Sequence, residues 1–175
     1  MDVQWREDHL HPANGAREVT ITFPFSDRRS LAALCLTLLA ACAPTTRRQV
    51  VNPPGISPLV PAYSVAIRDG AMVFVSGMTG IKPGTQDIID GGVAIQTRQT
   101  LENLRVALQS AGATMADVGE CTVFLVDMAD FAAMNAAYVQ YFPAEQPARA
   151  TVAVSALPRP AARVEIKCSA VIGAR

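Results

Sequence analysis

The sequence predicts an α+β domain in which a six-stranded sheet carries two helices on one face. Three observations predict it. Six short segments read as strands, and the last two alternate apolar and polar residues with period two. Two longer stretches repeat their apolar residues at three- and four-residue steps. The segments follow in the order β-β-β-α-β-α-β-β, without an internal repeat. A chain of 175 residues, half of them hydrophobic, has room and apolar surface for one domain with a compact core.

Gln49 to Asn52 is the first strand, ended by Pro53-Pro54-Gly55. Ser64 to Arg68 and Ala71 to Ser76 follow, joined by Asp69-Gly70, a two-residue hairpin signal. Ser76-Gly77 closes the third strand, and Gly80 to Gly92 is a loop. The main helix lies within Gly92 to Gly112. Ala94, Thr97, Leu101, Leu104, Leu108 and Ala111 form its inner stripe, and Gly112 is its C-cap. Thr114 to Asp117 resembles a capping box. Glu120 to Val126 is the fourth strand. Asp130 caps a second helix that runs to about Phe142, with Phe131, Met134, Tyr138 and Tyr141 facing inward.

The last two strands, Ala148 to Val154 and Arg163 to Val171, read as a hairpin. Its turn holds Pro158 and Pro160, which cannot donate ladder hydrogen bonds. Alternation puts Arg149, Thr151 and Ala153 on one face of the first strand. It puts Arg163, Glu165, Lys167 and Ser169 on one face of the second. Arg149 therefore stands among alanines and a threonine, where a guanidinium requires an anion. Glu165 has two readings: a base or water-orienting group, or a member of a solvated ion-pair face with Arg163 and Lys167. These strands are too apolar on both sides to face water, which calls for association between copies.

Composition narrows the function. The net charge is zero, so the chain has no basic footprint for nucleic acid. The only histidines are His9 and His11, so the domain holds neither a histidine-based triad nor a histidine-based metal site. The cysteines show no finger spacing, and Cys121 and Cys168, in apolar strands, read as buried thiols.

Residues 1–48 read as an extension that ends in a linker, and residues 49–175 as the domain. Arg28-Arg29 precede an apolar run from Leu31 to Ala43, which is too short to span a bilayer, since that takes about 20 residues. The run fits a secretory signal, and Leu39-Ala40-Ala41-Cys42 resembles a bacterial lipobox with Cys42 as the lipidation site. The residues ahead of Arg28 exceed an ordinary n-region, which a start codon placed too far upstream would explain. The competing reading is a hydrophobic helix packed on the domain, which leaves the protein in the cytoplasm.

The pattern Pro147-Ala148-Arg149, an apolar strand, Leu157, a short turn and Val164-Glu165-Ile166 resembles the signature of the reactive intermediate deaminase family (RidA, or YjgF). Tyr63, Ser76-Gly77 and Asn135 fall where that family places pocket residues, and the likeness runs from about Val50 to Val171. The resemblance implies a chorismate-mutase-like fold and a homotrimer with pockets at subunit interfaces. It implies hydrolysis of enamines or imines to 2-oxo acids and ammonia, with no cofactor and no metal. Arg149 and Glu165 would be catalytic, and Tyr63, Ser76, Gly77, Asn135 and Thr151 substrate-binding. Thr151 departs from the cysteine that many members carry. The rival readings are a non-catalytic trimeric module for small carboxylate metabolites and a chaperone-like interaction protein.

One expectation concerns location. A chain processed at Cys42 and acylated there is anchored to a membrane, facing the periplasm. Cys42→Ser should release it from the membrane fraction of native host cells, and mass spectrometry should find the wild-type chain beginning at a lipidated Cys42. An unprocessed soluble chain retaining Met1 is the contrary result.

Overall fold

The computed structural model describes residues 48–173. The lipobox Leu39 to Cys42, with its lipidation site Cys42, lies outside the described residues. Among the described residues no helix is long and apolar enough to cross a membrane.

One sheet holds the six strands β1 (Gln49–Val51), β2 (Ala66–Asp69), β3 (Met72–Thr79), β4 (Val118–Leu125), β5 (Ala148–Ala153) and β6 (Val164–Val171), in the spatial order β1-β2-β3-β6-β4-β5. Helices α1 (Val93–Ser110) and α2 (Phe131–Tyr138) supply the second layer, with α1 against β3 and β6 and α2 against α1. The α+β class and the element order are as the sequence predicts.

Alternation decides which side chains enter the core. Val164, Ile166, Cys168 and Ala170 of β6 are buried, as are Cys121, Val123 and Leu125 of β4 and Val73 and Val75 of β3. Leu101, Leu104 and Leu108 of α1 close over them with no exposure. Burial of each leucine contributes about 2 kcal/mol. Among the described residues no helix covers the opposite face of the sheet: Val50 (55 % exposed), Phe74 (46 %), Met72 (37 %) and Val152 (42 %) lie on it.

Local signals do what their chemistry demands. The α1 C-terminus is a Schellman motif: Ala113 N–H donates to Leu108 O at 2.9 Å and Gly112 N–H to Gln109 O at 3.0 Å. Gly112 has φ +82°, and a Cβ there would meet Arg68 Nη1 at 2.9 Å. Thr114 N–H donates to Asp117 Oδ2 at 2.8 Å, closing the expected capping box.

Four details differ from the sequence expectation. The last two strands are not a hairpin: β4 lies between them, antiparallel to β6 and parallel to β5. Ser76-Gly77 does not end β3 but forms a bulge inside it, where the register to β6 shifts between Val75 and Met78. Asp130 stands at the α2 N-cap position without capping. Its carboxylate instead takes Arg163 Nη2 at 2.7 Å, and Asp127 accepts from Ala129 N–H at 2.9 Å. Phe131 is 39 % exposed rather than part of the inner stripe.

Cys121 and Cys168 are buried as expected but form a disulfide instead of two thiols. They are direct cross-strand partners with Cα atoms 4.1 Å apart, so the β4–β6 register itself brings the sulfurs together. The bridge spans 47 residues of chain, for which loop-closure entropy gives about 4 kcal/mol of stabilisation. Reduction in urea should therefore lower the unfolding midpoint, with thiol titration recovering two more free cysteines than the oxidised protein. Superimposable unfolding curves with both thiols free would contradict this contribution.

Candidate functional site

The seven site residues that the sequence singles out fall into two clusters. The first lies at the bulge of β3. Tyr63, Ser76, Gly77 and Glu165 line a cavity of about 380 Å³ together with Thr79 and Arg159, and Leu59, Val60 and Pro158 form its apolar rim. Glu165 pairs with Thr79 of β3 and Phe124 of β4, and alternation sends its side chain away from the helices. Gly77 makes room for it: a Cβ at position 77 would lie 2.7 Å from the Glu165 carboxyl carbon. The bulge and the glycine thus let a carboxylate lie against the β3 backbone.

Among the described residues no ion pair involves Glu165. Arg163, the neighbour that could have neutralised it, binds Asp130, and Lys167 is exposed. The ion-pair face that the sequence allowed is therefore not formed. Burial holds the Glu165 pKa above the ordinary 4.5. Ser76 Oγ donates to Ser64 O at 2.7 Å, which leaves its lone pairs free to accept. Tyr63 Oη accepts from Leu59 N–H at 2.9 Å, so the phenol pins the loop that rims the cavity.

Two buried amides of α1 fix the walls. Asn103 Nδ2 donates to both Thr79 O and Ile81 O at 3.0 Å. Gln96 Nε2 donates to Ala161 O at 3.0 Å, and its Oε1 accepts from Arg163 N–H at 2.8 Å. The same helix therefore ties down the end of β3 and the entry to β6, the two segments that bracket Glu165.

The second cluster lies on the helix side of the sheet at the β5 edge. Arg149 Nη2 donates to Asn135 Oδ1 at 2.8 Å. Its guanidinium carbon lies 4.6 Å from the Tyr138 ring centroid and 5.9 Å from that of Phe131. Phe131, Asn135 and Tyr138 follow one another at four- and three-residue steps along α2, so one helix face presents all three to the guanidinium. Burial pushes the Tyr138 phenol up to about 12, against the lowering by Arg149. Thr151 is two residues along β5, and its Oγ1 is buried without a hydrogen-bond partner among the described residues. Arg149 and Glu165 thus belong to opposite faces of the sheet within one chain.

Sequence reasoning passes over Arg159 and Thr79 in the cavity and over Tyr138 as a ring beneath Arg149. The signal for Arg159 was its place between Pro158 and Pro160, which reads only as a turn. Tyr138 shows its helical spacing from Asn135, but the spacing alone gives it a core role.

The family described as Endoribonuclease L-PSP matches residues 56–172. The chloroplastic Reactive Intermediate Deaminase A of Arabidopsis thaliana is 37% identical over 134 residues, 77% of this chain and 71% of that protein. The 2-iminobutanoate/2-iminopropanoate deaminase of Mus musculus is 37% identical over 126 residues, 72% of this chain and 93% of that protein. The crystal structure of RidA from an Antarctic Psychrobacter superposes with a TM-score of 0.67 at 34% identity, covering 71% of this chain and 99% of that one. With the matched region spanning the β3 bulge, α2 and both terminal strands, the chain belongs to the endoribonuclease L-PSP family, to which the RidA and YjgF proteins it resembles also belong.

Proposed function

We propose that the protein hydrolyses enamine and imine intermediates to 2-oxo acids and ammonia. The observation that carries this reading is Glu165, a half-buried carboxylate without an ion-pair partner among the described residues, facing a cavity. A pKa raised by burial makes the carboxylate a stronger base towards a bound water. The names of the Arabidopsis and mouse relatives support the substrate class. The RNA cleavage in the family's description finds no support in a net charge of zero.

The open sheet face, with Phe74, Met72 and Val152 exposed, supports association of copies, and the resemblance favours a homotrimer. On this reading the β5 edge of one copy closes the Glu165 cavity of the next. Arg149, held by Asn135 and the Tyr138 ring, pairs with the substrate carboxylate through its planar fork. Glu165 takes a proton from a water whose oxygen bonds to the imine carbon, and the C=N electron pair moves to nitrogen, which is protonated. The resulting carbinolamine loses ammonia as the C–N bond breaks and the C=O forms. Ser76, Gly77 and Thr151 offer hydrogen-bonding groups, and Tyr63 and Asn135 shape the pocket. An imine is already electrophilic, so positioning and one proton shuttle suffice without a cofactor.

The site of action is proposed to be the periplasmic side of a membrane, with Cys42 as the anchor and the cytoplasm as the alternative. The Cys121–Cys168 bridge supports an oxidising compartment.

Two outcomes test the reading. Arg149→Lys keeps the charge but loses the fork. It should reduce deamination of freshly generated 2-iminopropanoate by about 100-fold or more, while light scattering still gives a trimer. Retention of wild-type ammonia release would remove Arg149 from the site, and ligand binding without turnover in the wild type would favour a binding module.

Glu165→Gln should lower turnover more than binding. It should also stabilise the fold at pH 7, because a carboxyl with a raised folded-state pKa favours the folded state least when ionised. The folded state binds more protons between 4.5 and the raised value, so wild-type stability falls as pH rises through that window. The gain from Gln should vanish below about pH 4. A pH-independent difference in melting temperature would show that Glu165 is not desolvated.

A further inference from the structure

Arg159 is a second guanidinium, and it lines the same cavity as Glu165, Ser76 and Tyr63. Its flanking prolines, Pro158 and Pro160, fix two backbone φ angles, so the chain presents it from a stiff point. Nη1 donates to Gln86 O at 2.6 Å, and Nη2 donates to Gln86 Oε1. Both partners are neutral, so the charge is held in place without being compensated. Ion pairs commit Asp130 to Arg163, Glu102 to Arg105 and Asp90 to Lys82, and among the described residues none involves Arg159. An arginine has five N–H donors, of which two are used here, so the fork retains capacity for an anion.

The cavity has room for more than a three-carbon acid. Its 380 Å³ falls within the range of about 300–1,000 Å³ typical of sites for larger ligands. A monocarboxylate imine needs one cation, and Arg149 of a neighbouring copy supplies it on the reading above. A fixed, unpaired guanidinium in the same cavity then has a second anionic group to bind.

We propose that Arg159 binds a distal carboxylate, so that the site takes 2-imino dicarboxylates, the imines of acidic amino acids, in preference to 2-iminopropanoate. The recognition part rests on the reading in which Arg149 of a neighbouring copy holds the first carboxylate, and the turnover part rests on the deaminase reading as well. The reaction that supplies such a substrate is two-electron oxidation of an acidic amino acid at its α-carbon, with the electrons passed to the flavin, nicotinamide or oxygen acceptor of the supplying enzyme, or loss of the α-proton and water from a β-hydroxy acidic amino acid. The product is a 2-oxo dicarboxylate.

The test measures recognition and turnover separately on the full chain. Calorimetry compares 2-oxoglutarate with 2-oxobutanoate as product probes, and ammonia release compares the imines generated in situ from glutamate and alanine by an amino-acid oxidase. In the wild type 2-oxoglutarate should bind about tenfold more tightly or better, as expected for one added charge-assisted contact. In Arg159→Gln that ratio should fall to about one, and Arg159→Lys should keep part of it because the charge remains. Equal affinities in the wild type, or a preference that survives Arg159→Gln, would overturn the assignment. An Arg159-dependent preference for 2-oxoglutarate without turnover of either imine would sustain it while removing the deaminase reading. Deamination with no preference for the dicarboxylate would sustain the deaminase reading and overturn this one.

Discussion

Strand β6 is hydrogen-bonded to β3 on one side and to β4 on the other, and its register governs the rest of the structure. Val164, Ile166, Cys168 and Ala170 must enter the core, because α1 closes over that face. With a side-chain period of two, Glu165 is then forced to the other face. Its position is a by-product of core packing, and a one-residue slip would exchange it for Ile166. The bulge at Ser76-Gly77 accepts the carboxylate that this register delivers, and a side chain at Gly77 would collide with it. The same register opposes Cys121 to Cys168, so the disulfide reports on the alignment that places Glu165.

The parallel pairing of β5 to β4 has the opposite effect. Arg149 pairs with Cys121 and Thr151 with Val123, so both share the helix side with the buried residues of β4. There α2 receives the guanidinium with Asn135 and the Tyr138 ring. A cation and a carboxylate on opposite faces of one sheet do not make a site for one small substrate. On the proposed reading a second copy resolves this, and the exposed Phe74, Met72 and Val152 give an apolar reason for it to bind. Function and assembly then share one cause: among the described residues the helices cover one face of the sheet and not the other.

Much of this was legible in the sequence, for reasons that differ by residue. Gly112 and the Thr114–Asp117 box are read correctly because their bonds close within a few residues. The alternation of β6 shows which of its side chains are buried. Adjacency was not legible: β4 enters between β5 and β6 through non-local pairing that no local pattern encodes, so the two final strands look like a hairpin. The disulfide depends on that same register. Asp130 has the chemistry of a cap, yet Arg163, 33 residues away, competes for it. Arg159 is invisible because its setting comes from Gln86, 73 residues earlier. Among the site residues, Arg149 stands out as a charge among alanines, whereas Glu165 shares its strand face with Arg163 and Lys167 and is singled out by the family resemblance. Their separation onto two faces follows only from the topology.

The central claim is that one substrate site draws Arg149 from one copy and Glu165 from the next. Co-expression of Arg149→Ala and Glu165→Gln chains, each with its own tag, tests it directly. Both parents are inactive on this account, but a mixed trimer contains one interface with both native residues. Random assembly should restore about a quarter of wild-type deamination, confined to the species that carry both tags. Mixed trimers, verified by native mass, that stay as inactive as their parents would contradict a shared site.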